Sequence, residues 1–207
     1  MRRALALLTA LLLAACSKTV LVTVPPRMDL GPYATLGVVE FDTGAGYDAQ
    51  ATKEFQAQVH AAQPGTRLLE LGSREKLLAE VGSREADAQA LKKIGVKYGV
   101  DAVFLGEVVF AAPKTDVRVG DLTKLEGAAR TVLRGDANVK LLETRSGASV
   151  WSSSAWATRE IGRVQLSTGG GVSGGARTDD PRGEMVQKMM FHLAQDLRAG
   201  TARRRVD

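Results

Sequence analysis

Two histidines, one cysteine and a cluster of glycines are the residues of this 207-residue chain whose types suggest chemistry. His60 and His192 are far apart in sequence, and each lies on a stretch expected to be helical. Zinc draws three or four ligands from His, Cys and acidic side chains. A site here would need two distant helices to converge with carboxylates, so no metal is expected. The stretch "GGGVSGG" holds Gly169, Gly171 and Gly174 in G-x-G-x-x-G spacing after the apolar "RVQL". That fingerprint requires its third glycine to open a helix, and a second strand to supply an acid to a ribose. Here the next expected helix begins only at Pro181, with no strand expected after it, and no P-loop lysine is present. Composition leaves a scattered Ser-His-Asp triad open. No G-x-S-x-G elbow accompanies it, however, and Ser152–Ser154 fall within an expected strand. Asp179 and Asp180 suit the cap of a last helix better than acid–base work. No catalytic residue, no small-molecule substrate and no enzymatic activity are expected.

The lone cysteine has a different context. Arg2 and Arg3 precede the uncharged run "ALALLTALLLAA", which leads directly to Cys16. Twelve helical residues span roughly 18 Å, too short for a bilayer core of about 30 Å, so the run reads as a secretory signal. Leu13-Ala14-Ala15-Cys16 resembles the bacterial lipobox. The resemblance implies cleavage between Ala15 and Cys16, a diacylglycerol thioether on Cys16 and an acyl chain, such as palmitate, on its new amino group. These covalent lipids are the only non-protein groups expected. Several chains anchor far more firmly than one. Ser17, where aspartate would favour inner-membrane retention, points to the outer membrane.

Removal of residues 1–15 leaves 192 residues, one domain of common size. No second thiol is available for an intramolecular disulfide. Net charge falls from +5 to +3 with Arg2 and Arg3, too mild to argue for nucleic acid. The expected organisation is a signal peptide at 1–15 and an anchor with an extended, proline-rich tether at 16–34, with room for one edge strand. A globular domain follows at 35–199, then a basic tail at 200–207 carrying Arg203, Arg204 and Arg205, expected to be solvated and disordered, with contact to anionic lipid or another acidic surface as the alternative.

Within the domain, apolar runs at 35–41, 66–71 and 100–110 read as strands. Residues 48–62 read as a helix, with Ala51, Phe55, Val59 and Ala62 on one face. Ser73 and Ser83 are expected to cap two further helices, the second ending at Gly99. Residues 111–127 read as a polar connector, 129–145 and 148–161 as a hairpin, and 162–180 as a flexible glycine-rich loop. A closing helix spans 181–198, with Asp180 as N-cap and Pro181 in its first turn. Its stripe of Met185, Met189, Leu193 and Leu197, with Val186 and Met190 beside it, reads as a packing face. The fold class is a mixed β-sheet with helices on its faces, α/β or α+β. Trp151 and Trp156 lie five apart on one strand and so face opposite sides. They are the candidate partner contacts, one able to fill the core and the other to make an exposed aromatic contact.

Three stretches together resemble a group of envelope lipoproteins: "VPPRMDLGPYATLGVVEF", "ALKKIGVKYGVDAVFLGEV" and "VKLLETRSGASVWSS". The group includes the curli-secretion lipoprotein CsgG, the peptidoglycan-synthase activator LpoB and the N-terminal domain of TolB. The resemblance covers about residues 22–160 and the layout of the closing helix. It implies an anticodon-binding-like fold used for protein–protein contact, with neither reaction nor cofactor. Two functions follow as expectations. One is a periplasm-facing, outer-membrane-anchored adaptor or regulator, held by membrane lipid and bound to an envelope protein. The other is a subunit of a CsgG-like oligomeric secretion or assembly complex. A small-ligand binder with the glycine loop as lid is a weaker third. Arg130, Arg134, Asp136 and Lys140 share parity, as a pore-lining face would require. Their opposite face is only weakly apolar, and one hairpin stands where the curli-type pore has two. A soluble hairpin is therefore the expectation for 129–161.

Overall fold

The computed structural model describes residues 18–119, 127–167, 171–176 and 180–206. The segment expected to be a signal peptide and the expected cleavage and lipidation positions, Ala15 and Cys16, lie outside the described residues. Nine strands and four α-helices follow in the order β1 (Lys18–Val24), β2 (Leu36–Val38), α1 (Asp48–Ala62), β3 (Leu68–Glu70), α2 (Arg74–Glu80), α3 (Ala88–Tyr98), β4 (Ala102–Phe110), β5 (Lys114–Val119), β6 (Gly127–Glu143), β7 (Ser149–Ser167), β8 (Gly171–Ala176), α4 (Pro181–Leu193) and β9 (Gly200–Val206). A 3₁₀ turn at Ala194–Leu197 continues α4.

The main sheet has the order β3-β2-β4-β6-β7-β8, with β5 paired to the distal part of β6. β3 and β4 run parallel to β2, whereas the pairs β4–β6, β5–β6, β6–β7 and β7–β8 are antiparallel. The class is therefore a mixed α+β fold, as expected. Alternation along β4 builds a core on each face. Ala102, Phe104 and Val108 point to the larger core, where α1 contributes Phe55 and Val59 and α4 contributes Met185, Met189, Met190 and Leu193. Val103 points to the other side, where Leu77 of α2 and Leu91 and Ile94 of α3 enclose it. Each large apolar side chain taken from water contributes roughly 1.5–3 kcal/mol. Phe41 lies flat over Gly106, where a Cβ would stand 2.2 Å from its Cε1, so only glycine fits beneath that ring.

Local signals act as expected at three helix ends. Ser73 accepts a hydrogen bond from the Lys76 N–H, Gly99 ends α3 at φ 67°, and Asp180 accepts one from the Gly183 N–H. Other expectations need correction. Asp87, rather than Ser83, caps α3 through the Ala90 N–H. The closing helix stops at Leu193 and tightens into the 3₁₀ turn. The connector at 111–127 contains β5, because Lys114–Val119 finds the free edge of β6. The glycine-rich loop expected over 162–180 is strand at 162–167, and residues 171–176 pair with it as β8. Residues 168–170 and 177–179 lie outside the described residues. Residues 200–206 of the expected tail form β9, antiparallel to β1 from Lys18↔Val206 to Val24↔Gly200. In all three cases a partner strand supplies what local composition lacks.

The two-stranded β1–β9 ribbon joins the body through one clamp. Beyond Pro25 and Pro26, the Arg27 and Met28 N–H groups both donate to the Asp196 carbonyl. Gln63, just past α1, accepts from the Leu30 N–H at 2.8 Å and donates to the Met28 and Leu197 carbonyls. At the opposite end β6 and β7 run past the helices as an arm, flanked by β5 and β8. Strand register puts Asp116, Arg130 and Arg163 on one face of this arm, and Val117, Ala129 and Val164 on the other.

Candidate protein-interaction surface

α2 and α3 cover the β3-β2-β4 side of the second sheet face and reach Leu105 and, at the end of β6, Leu142. Where β4 runs on beyond them, that face is open across β4, β6 and β7. The register assembles it row by row: Leu105, Lys140 and Ser152; then Glu107, Asn138 and Ser154; then Val109, Asp136 and Trp156. Arg134 and Thr158 form the next pair. Trp156 is 61 % exposed and Val109 59 %.

The Arg134 guanidinium grips Asp136 through Nε, which donates to Oδ2 at 3.0 Å and Oδ1 at 3.2 Å, and through a terminal nitrogen, which donates to Oδ1 at 2.7 Å. It also lies 5.6 Å from the Trp156 ring centroid. The hydrogen bonds from Arg134 are the main cause holding the Asp136 carboxyl below its ordinary range. Exposed to solvent, the pair adds little to stability. Its larger effect is to hold a tryptophan and an arginine ordered at the surface, the two residue types most enriched where binding energy concentrates. A groove of about 340 Å³ borders the patch, lined by Glu40, Asp42, Arg74, Glu107, Asn138 and Lys140 among others. The arrangement suits recognition of a mixed-charge protein surface around an aromatic anchor.

The two tryptophans divide as their spacing predicts. Trp156 faces solvent, while Trp151 packs edge-on against Phe104 with centroids 6.1 Å apart. The Trp151 Nε1 is buried without a hydrogen-bond partner among the described residues. The even-numbered charges on β6 are the outer side of a sheet whose odd-numbered residues Leu133, Ala137, Val139 and Leu141 are buried under α4. Glu107 and Val109 were invisible as surface members, because only the end of helix cover exposes them.

The other chemical candidates stay apart. His60 and His192 are both exposed, and the described residues hold no cluster of three or more metal-ligating side chains. Gly174 sits in β8 opposite Val164 rather than at a helix start. Asp180 caps α4 and accepts the Tyr47 hydroxyl at 2.7 Å; the Gly183 N–H, then Tyr47, hold its carboxyl below its ordinary range. No helix among the described residues is long and apolar enough to cross a membrane.

The sequence matches no protein-family model and no curated protein at a significant level. Among solved structures the chain is similar to a lipoprotein from Neisseria meningitidis, at 19 % identity over 61 % of this chain and 83 % of that one, with a TM-score of 0.37. It is similar to the PelC dodecamer from Paraburkholderia phytofirmans, at 12 % identity over 88 % and 99 %, with a TM-score of 0.42. It is also similar to the C-terminal domain of LpoB from Salmonella enterica, at 13 % identity over 66 % and 84 %, with a TM-score of 0.38. LpoB is one of the proteins whose motifs the sequence resembles, and this likeness concerns the fold alone.

Proposed function

We propose that this chain is an outer-membrane-anchored, periplasm-facing lipoprotein that works without enzymatic chemistry or cofactor, as a protein-interaction adaptor or regulator of the cell envelope. The lipobox-like "LLLAAC" supports the anchor, with diacylglycerol and an N-acyl chain on Cys16. The observation that carries the adaptor role is the open sheet face, where Trp156 stands exposed with Arg134 held against it and Glu107, Val109 and Lys140 around it. A photo-reactive amino acid at position 156 is expected to capture one envelope protein in cells, and Arg134→Glu to abolish the capture. A reagent at 156 that traps nothing, with equally empty lanes at 107 and 154, overturns the reading.

The arm favours a second reading, a subunit of an oligomeric assembly. It consists of two hairpin-like pairs, β5–β6 and β7–β8, where the sequence suggested one. On its apolar face Val117 is 68 % exposed and Val164 45 %, beyond the reach of α4. As a membrane insert the arm is short. β5 and β8 are six residues each, where a spanning strand needs about 9–11. The described strands therefore suit contact between subunits better than insertion.

A further inference from the structure

We infer that the β1–β9 ribbon is a second membrane contact, a basic surface that binds anionic phospholipid headgroups beside the acyl anchor. The inference deepens the proposed function and rests on its reading of Cys16. Lys18, Arg203, Arg204 and Arg205 give the ribbon's fourteen residues four positive charges, and neither strand contains an acidic residue. The acids next along the chain are Asp29, Asp196 and Asp207; Asp196 pairs with Arg27, and Asp207 lies outside the described residues.

The register concentrates this charge where a bilayer would be. Arg205, Arg204 and Arg203 pair with Thr19, Val20 and Leu21, the half of β1 closest to Cys16. Thr19 follows Cys16 by three residues, so chain geometry limits their separation to about 11 Å. That is close to the Debye length of about 8–10 Å at ordinary salt. With acyl chains inserted at Cys16, the arginines meet headgroups before screening removes their attraction.

The ribbon is also built unlike a packing element. Among the side chains described in it, none is buried, and Leu21 is 72 % exposed. Arginines alternate across it: Arg203 and Arg205 share a face with Leu21, while Arg204 shares the other with Val20. An isolated two-stranded ribbon is marginal in water. Basic and apolar side chains together match the composition that holds peptides at an anionic interface. A solvated tail, the expectation from sequence, would need no register; this one has seven paired positions.

The test uses the full mature chain with Cys16→Ala, so that acyl chains contribute nothing, and vesicles of phosphatidylcholine with or without an equal part of phosphatidylglycerol. The expected result is sedimentation with the anionic vesicles only, reversed by raised salt. One basic residue near an anionic bilayer is worth about fivefold in partitioning. The triple change Arg203→Gln, Arg204→Gln, Arg205→Gln is therefore expected to weaken binding by roughly a hundredfold. Salt reversal on the unmutated ribbon keeps the test independent of how the triple variant folds. Equal binding to both vesicle types, or none to either, overturns the inference. So does loss of a captured acidic protein, rather than of vesicles, in the triple variant. The anchor is judged separately by the mass of the wild-type protein, so vesicle binding by the unlipidated chain upholds the ribbon whether or not Cys16 carries lipid.

Discussion

The Asp180 carboxylate holds the Gly183 N–H at 3.1 Å and the Tyr47 hydroxyl at 2.7 Å, joining the first turn of α4 to the loop before α1. Replacing it with alanine removes an N-cap and is expected to cost about 1 kcal/mol at neutral pH. The carboxyl titrates lower in the folded chain than in the unfolded one, with the Gly183 N–H as first cause. Its contribution is therefore complete above the unfolded value and disappears as pH falls through the folded one. Urea melts of wild type and Asp180→Ala are expected to differ at neutral pH and to converge in acid. A gap that persists or widens in acid would show that the charge is irrelevant and that packing alone explains the loss.

Helix α4 is seated on the sheet by one face. Its Met189 is fully buried between the sheet and α1, whereas the neighbouring Phe191 is 42 % exposed beside Arg198. Met189→Ala is expected to cost about 2–5 kcal/mol through the cavity it leaves, and Phe191→Ala under about 1 kcal/mol, read as urea midpoints at constant slope. Similar losses at both positions would mean that the helix is not seated by its methionine stripe. That stripe was legible in the sequence, as were Ser73, Gly99 and Asp180, because a helix writes its packing face and caps into residues three or four apart. The strands "KTDVRV", "GVSGGA" and "GTARRRV" were not legible. Each depends on a partner strand distant in sequence or in pattern, and glycine or arginine runs carry no local strand signal. The opposed sides of Trp151 and Trp156 were legible from period two. What exposes the whole patch is the line where α2 and α3 stop covering β4, and no sequence window contains it.

At the scale of the whole molecule, the proposed activities sit at separate places: lipid contact at the ribbon, protein contact on the open face, and self-association along the arm. Particle mass after mild detergent extraction, corrected for bound detergent, decides between the two functional readings. A single-chain particle is expected if the protein is an adaptor awaiting a different partner. A ring-sized particle would instead assign Val117 and Val164 to a subunit interface.

The direction of the long strands has a mechanical meaning. β6 extends seventeen residues and β7 nineteen, about 55–65 Å of paired backbone reaching from the body into the arm. α4 begins near Phe110 at the arm end, and the chain finishes the following turn at the ribbon clamp. Tension between Cys16, held by lipid as proposed, and a second subunit gripping the arm would enter through β1 as covalent chain, leaving the β9 rungs unloaded. It would then cross the clamp at Asp196 and Gln63 and meet the sheet along its strands, where many rungs share the load in shear instead of opening one by one. Under such a load the hydrogen bonds around Gln63 would be strained before the sheet is.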